Sequence, residues 1–202
     1  MHIYNNLWTC GDQFLIETYY HPYKDFKPFL QRNLANDYSH ETSSVSSRQY
    51  PLWQDPEPAL KIKHRTYKPH EIETSTEFIK AFNKLTTWTA KKLKDNYRDV
   101  EIVPAISWIM EYEHGGWQSI HSHGLNVITQ VLHMDGAHLP EIDGSVNGAT
   151  YVFMTDGNPP FYKPIMPAAG KCLIMPGNVF HGVYPVDTLP RRCVVVDYLV
   201  LK

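Results

Sequence analysis

Three histidines carry the spacing most suggestive of chemistry in this chain. His121 and His123 stand two residues apart in "GGWQSIHSHG", and His181 follows 60 residues after the first. Imidazole is the commonest protein metal ligand. On an extended backbone, side chains at i and i+2 share a face, so the pair can reach one ion. A third ligand must then come from a distant strand. His181 lies just past "GKCLIMPGNVF", where an apolar strand from Cys172 to Met175 runs into the turn Pro176-Gly177. A short pair plus one far ligand is a common way to build a non-haem iron site. The bland alternative is a surface pair that binds nothing.

Ten residues after His181 come Arg191 and Arg192, which open the run "RRCVVVDYLV". A guanidinium at the mouth of an apolar strand is costly without an anionic partner. The planar fork of arginine suits a carboxylate, which it grips through two parallel hydrogen bonds. A carboxylate-bearing ligand beside a metal is therefore expected. Strand alternation sends the two arginines to opposite faces, so at most one points inward. The competing reading leaves both exposed at a loop end.

The elements that must position these residues divide the chain in two. Residues 1–100 read as helical and irregular, with a strand or two and a short helix in the first 35 residues. A long Ser-, Pro- and acid-rich stretch covers about 36–60, "NDYSHETSSVSSRQYPLWQDPEPAL". A loop of that length is a mobile connection or a functional lid. The clearest helix is "ETSTEFIKAFNKLTTWTAKKLKDNY", with Thr74 and Glu77 as a capping box. Phe78, Ile79, Phe82, Leu85, Trp88 and Leu93 form its apolar stripe. Its lysines fall largely off that stripe and read as a solvated face, although with Lys61, Lys63, Arg65 and Lys68 they also admit a basic docking surface. From residue 101 the character changes to short β-rich runs bounded by Gly, Pro, Asn and Asp, with no helical pattern between them. Such a series predicts an antiparallel sandwich or barrel, of which the jelly roll is one form. The expected architecture is a single mainly β domain, residues 1–202, with a jelly-roll core at 101–202 and N-terminal helical elements packed on it.

Composition sets the outer bounds. The chain has 202 residues, net charge −2, 43% hydrophobic and 20% charged residues. No basic or acidic excess points to nucleic acid, and no apolar run approaches membrane-spanning length. Cys10, Cys172 and Cys193 are too few and scattered for a disulfide framework or a cysteine-rich zinc site. With no basic segment followed by an apolar core in "MHIYNNLWTCGDQFLIE", a cytoplasmic location is expected. A homodimer is left open.

With these residues in view, the chain resembles the 2-oxoglutarate/Fe(II)-dependent oxygenases. It looks closest to a small group, with phage-encoded members, that has H-x-H in place of H-x-D. The resemblance covers about residues 102–200. It rests on "ISWIMEYEHGGWQSIHSHG", "NVITQVLHMDG", "NGATYVFM" and, most specifically, "AAGKCLIMPGNVFHGVYPVDTLPRRCVVVDYLV". It implies a double-stranded β-helix, Fe(II) with 2-oxoglutarate as co-substrate, O2, and oxidation of a further substrate with release of succinate and CO2. It implies His121 and His181 as iron ligands. It implies Arg191 as the grip on the distal carboxylate of 2-oxoglutarate, with Arg192 as fallback. Thr129 and His133 fall where the family places further co-substrate contacts.

The departure lies at His123, because the usual triad is two histidines and a carboxylate. Three outcomes stay open: His123 ligates, it turns away, or an acid elsewhere fills in. Asp135 is the candidate acid, since His133-Met134-Asp135 is itself an H-x-D. Two β-runs, Val127–His133 and Ala149–Met154, separate His121 from the closing module, as the fold needs, whereas reading from His133 leaves one. The rival functions are a 2-oxoglutarate-independent cupin-type metalloenzyme and a non-enzymatic jelly-roll binding or structural module. Trp117, Tyr112, Tyr151 and Tyr162 are candidates for shaping a substrate pocket, and the 36–60 loop and the turn "TDGNPPFYKP" for covering it. The substrate is not legible.

Overall fold

Long apolar runs with few helix signals form the strands of a two-sheet sandwich. The structure, a computed structural model, describes residues 6–29, 62–67, 76–112, 116–136, 146–187 and 190–201. In chain order the elements are β1 (Asn6–Cys10), β2 (Gln13–Tyr19), β3 (Ile62–Tyr67), α1 (Thr76–Asn96) and β4 (Glu101–Tyr112). They continue with β5 (Gln118–His121), β6 (Val127–His133), β7 (Thr150–Met154), β8 (Phe161–Ile165), β9 (Lys171–Pro176), β10 (Phe180–Val183) and β11 (Arg191–Leu201). A seven-stranded sheet has the order β1-β2-β9-β6-β11-β4-β3, and a four-stranded sheet the order β5-β10-β7-β8. Every pairing is antiparallel. The expected mainly β jelly-roll architecture is what the chain adopts.

The large sheet is covered on both faces. Leu15, Val131, Leu173 and Val195 point into the sandwich and meet Val152 and Val183 of the small sheet. Their chain neighbours Ile16, Leu132, Ile174 and Val196 point the other way and pack with Phe82, Leu85 and Leu93 of α1. Burial on both faces makes β6, β9 and β11 read as continuous apolar runs rather than alternating ones. The small sheet has one wet face. Burial alternates along β7, and Tyr162 and Phe180 are exposed on its outer side.

Helix α1 has the buried stripe its periodicity predicts, except that Ile79 is exposed. Lys84 pairs with Asp25 at 3.2 Å, Lys91 with Asp95 at 2.6 Å, and Lys94 with Asp99 at 2.5 Å. These are exposed contacts on a solvated face. The proposed cap Thr74, Lys61, Lys68 and the 36–60 loop lie outside the described residues.

The N-terminal part does more than pack on the jelly roll. The β1–β2 hairpin extends the large sheet through β2 and β9, and β3 extends its other end through β4. Three strands escaped the sequence pattern. β5 has only four residues, β3 is polar, and β8 begins inside the stretch read as a turn, "TDGNPPFYKP". β8 is an edge strand, which tolerates the proline at 164.

Candidate metal centre

The register of the small sheet brings the histidines together. His121 on β5 and His181 on β10 are direct partners across the ladder. His123 lies two residues beyond β5, tied down by its backbone N–H donating to the Gly177 carbonyl at 2.7 Å. Gly124 N–H reaches the same carbonyl at 3.2 Å. The approach needs glycine: a Cβ on Gly177 would lie 2.7 Å from the Gly124 oxygen. One ligand atom from each of the three rings lies within 4.8 Å of the others, which is compatible with one ion.

Each ring is oriented by a bond from its Nδ1. His121 Nδ1 meets the Ser119 carbonyl at 2.9 Å, and His181 Nδ1 meets the Val179 carbonyl at 3.1 Å. His123 Nδ1 meets both carboxylate oxygens of Asp197, each at 2.8 Å. A proton on Nδ1 facing an acceptor leaves the lone pair on Nε2, the arrangement usual for metal-bound histidine. Trp108 stacks on the His123 ring at 5.5 Å. Burial lowers His121 to about 4. Burial first, and then the neighbouring His121 and His123, lowers His181 well below the usual histidine value. Both rings therefore stay neutral at ordinary pH, as ligation requires.

The same cavity is lined by Arg191, Tyr112 and Thr150. Arg191 is 2% exposed. Its Nε donates to the Gly148 carbonyl at 2.7 Å, and its Nη2 to Thr150 Oγ1 at 3.0 Å. The Tyr112 ring lies under the guanidinium at 4.4 Å. Gly148 has φ of +62°, and a Cβ there would approach the arginine's Cδ to 3.3 Å, so glycine suits the cradle. Nη1 of Arg191 is buried with no hydrogen-bond partner, and no carboxylate among the described residues pairs with it. A buried guanidinium with a spare donor fits an incoming anion.

His133 is fully buried beside this arginine, with neither ring nitrogen partnered. Burial, then Arg191 and Lys171, hold it well below the usual histidine value. Thr129 donates its hydroxyl to Asp197 at 2.8 Å, which turns it toward the histidine end of the cavity. Arg192 points away from the cavity and forms a two-bonded pair with Asp135, at 2.5 and 2.9 Å. The structure thus gathers His121, His123, His181 and Arg191 around one cavity and pairs Asp135 with Arg192 elsewhere. Tyr112 lines the cavity and donates to Gln118 at 3.0 Å, whereas Tyr162 is on the outer face of the small sheet, its hydroxyl against that of Tyr184. Tyr151 belongs to the same outer cluster.

Sequence reasoning passed over Asp197, Gly148 and Thr150. Asp197 had a signal. It is an acid in an apolar strand and shares the odd-numbered alternation of Arg191, Cys193 and Val195. Gly148 and Thr150 had none, because their role depends on a side chain 41 to 43 residues away.

No protein-family model and no curated sequence matches the chain. Solved structures do. AviO1 from Streptomyces viridochromogenes Tue57 superposes with a TM-score of 0.61 at 16% identity, covering 92% of this chain and 89% of that one. The non-heme alpha-ketoglutarate-dependent epimerase SnoN from nogalamycin biosynthesis gives 0.59 at 9% identity, covering 92% and 78%. A Pseudomonas putida prolyl-4-hydroxylase gives 0.56 at 14% identity, covering 93% and 92%. At such identities the likeness is one of fold: the chain shares its jelly roll with these proteins.

Proposed function

We propose that the protein is an Fe(II)- and 2-oxoglutarate-dependent oxygenase of the hydroxylase type. One juxtaposition carries this reading: three histidines with Nδ1 engaged, opposite a buried arginine whose Nη1 has no partner, in one cavity. His121, His123 and His181 would hold the iron. Arg191 would bind the distal carboxylate of 2-oxoglutarate, and His133, neutral and unpartnered beside it, would supply a further hydrogen bond. Bound iron supplies O2 activation coupled to oxidative loss of CO2 from the co-substrate, leaving succinate.

The chain's own residues bind, orient and exclude water. Gly148 and Thr150 fix two donors of the Arg191 fork, so the third is aimed before the ligand arrives. Apolar side chains such as Met110, Val131, Val183 and Val195 line the space between the two ends. In such surroundings a carboxylate–guanidinium contact is stronger than in water. The fold hosts an epimerase as well as a hydroxylase, so the substrate is to be identified by assay and not by fold.

Anaerobic addition of Fe(II) and 2-oxoglutarate should give a weak visible charge-transfer band, lost in His181→Ala and in Arg191→Met. Succinate release across protein, amino-acid, nucleobase and metabolite substrates should then identify the substrate class. A band absent from the wild type, with metal binding unchanged by Arg191→Met, would favour the 2-oxoglutarate-independent cupin reading. No metal binding at all would favour the non-enzymatic one.

A further inference from the structure

The three histidines do not have equivalent partners. His121 and His181 each point Nδ1 at a neutral backbone carbonyl, 2.9 and 3.1 Å away. His123 alone points Nδ1 at a carboxylate, with both oxygens of Asp197 at 2.8 Å. It is also the residue standing where the common triad has its acid. Asp197 is held in turn. Thr129, its direct partner on β6, donates to Oδ1 at 2.8 Å. On the β4 side the ladder slips by one residue between Asp197 and Tyr198. The result is an acid side chain only 15% exposed, set in the otherwise uncharged part of β11 that follows Arg192, with its contacts spent on His123 and Thr129. Burying a carboxylate there is costly unless something needs its charge.

We propose that Asp197 is a positioning residue that returns to the metal site, through His123, the negative charge its ligand set lacks. The inference rests on the iron reading above. Three neutral imidazoles leave a bound divalent cation with its full charge. A carboxylate on the far nitrogen of one ring raises that ring's basicity and fixes its tautomer. The acid has moved one residue outward, from the ion to the imidazole that touches it. Thr129 holds this carboxylate in place through its hydroxyl.

The test uses Mn(II) alone as probe, with affinity measured by calorimetry on the full chain and Co(II) absorption reporting the coordination. Asp197→Asn keeps the shape and an acceptor for Nδ1 but removes the charge. Mn(II) affinity should fall about 10–100-fold, the usual cost of losing such an outer partner. Thr129→Val should lose a few-fold, because the carboxylate stays but is less well held. The double variant His123→Asp/Asp197→Asn puts the charge directly on the ion, and it should recover most of the affinity that Asp197→Asn loses. Thermal melting of each metal-free variant checks folding. Should Asp197→Asn fail to fold, Thr129→Val decides the matter, because wild-type Mn(II) affinity in that variant would overturn the proposal. Wild-type affinity in a folded Asp197→Asn, or no recovery in a folded double variant, would overturn the role of Asp197 while leaving the histidine site intact. A wild type that binds no Mn(II), or binds it equally well as His181→Ala, would instead sink the iron reading itself.

Discussion

The two ends of the cavity satisfy their polar atoms in different ways. At the histidine end every Nδ1 has a partner within the chain, and so does the carboxylate behind His123. At the arginine end Nη1 of Arg191 and both nitrogens of His133 are buried with none. Buried polar atoms are nearly always paired in native proteins. The first end is therefore a site whose orientation the fold completes, with only the Nε2 lone pairs held open. The second leaves buried donors without a partner, as the proposed binding of a co-substrate carboxylate would need. On the proposed function one end would take the cation and the other the distal carboxylate, with apolar side chains lining the space between.

The sharpest way to break this contrast is to empty the histidine end. His181→Ala removes a ligand from the centre of the cluster. Mn(II) affinity should fall by more than the roughly 10–100-fold that an outer partner costs, and succinate formation should stop. The metal-free protein should still fold, because among the described residues His181 makes a single side-chain hydrogen bond, to the Val179 carbonyl. Circular dichroism together with calorimetry checks both halves. Retained tight binding would show that the ion, if any, sits elsewhere.

The converse change empties the arginine end. Losing one partner of a buried, hydrogen-bonded charge pair costs about 2–5 kcal/mol. Arg191→Met should therefore weaken 2-oxoglutarate binding by at least about 30-fold and leave Mn(II) affinity unchanged. Arg191→Lys should fare little better, since a lysine cannot reproduce the fork that bonds Gly148 and Thr150 while aiming a third donor inward. Titration of the Mn(II)-loaded protein with 2-oxoglutarate reads this directly. A lysine variant with wild-type affinity would mean that charge alone, not the fixed fork, does the binding.

A third test uses pH on the metal-free protein. His133 is neutral in the fold, with its folded pKa pushed well below the ordinary 6.5 by burial, then by Arg191 and Lys171. The unfolded chain then binds the extra proton first, so stability is full above about pH 6.5 and is lost as pH falls below it. Each such histidine contributes about 1.4 kcal/mol per pH unit in that range, and His121 and His181 add to the slope with the same sign. Denaturant melts between pH 7 and 5 should show falling stability, with a shallower slope in His133→Phe. An unchanged slope in that variant would mean the ring is protonated or partnered in the fold.

How much of this was legible in the sequence depends on the range of the interaction. The strands flanked by turn residues were visible, because alternation and apolar runs are local. So were His121, His123, His181 and Arg191, since ligand spacing and a charge at the mouth of an apolar strand are local anomalies. Gly148 and Thr150 were not visible, because their value comes from an arginine delivered by a strand on the other sheet. Asp197 was half visible. An acid in "VVVDYL" is an anomaly, but nothing local says that it faces His123, 74 residues earlier. Thr129 stands out only through family position, and nothing local says that its hydroxyl bonds Asp197. β3, β5 and β8 escaped because a short or edge strand need not carry the pattern of a buried one.

The smallest expected effect on ligand binding separates two adjacent arginines that strand alternation sends to opposite faces. Alternation places Arg191 inside and Arg192 outside, and the structure gives Arg192 its own acid, Asp135, in a two-bonded pair with side chains 24% and 13% exposed. That acid is thereby occupied away from the histidines. Arg192→Gln should change neither Mn(II) nor 2-oxoglutarate affinity. It should cost roughly 1–3 kcal/mol of stability, because Asp135 is left largely buried without its partner, shifting the melting temperature by several degrees. A loss of 2-oxoglutarate binding comparable to that of Arg191→Met would mean the two faces of β11 had exchanged roles. Such an exchange would require a one-residue slip of the strand, sending Cys193 and Val195 out of the core along with Arg191.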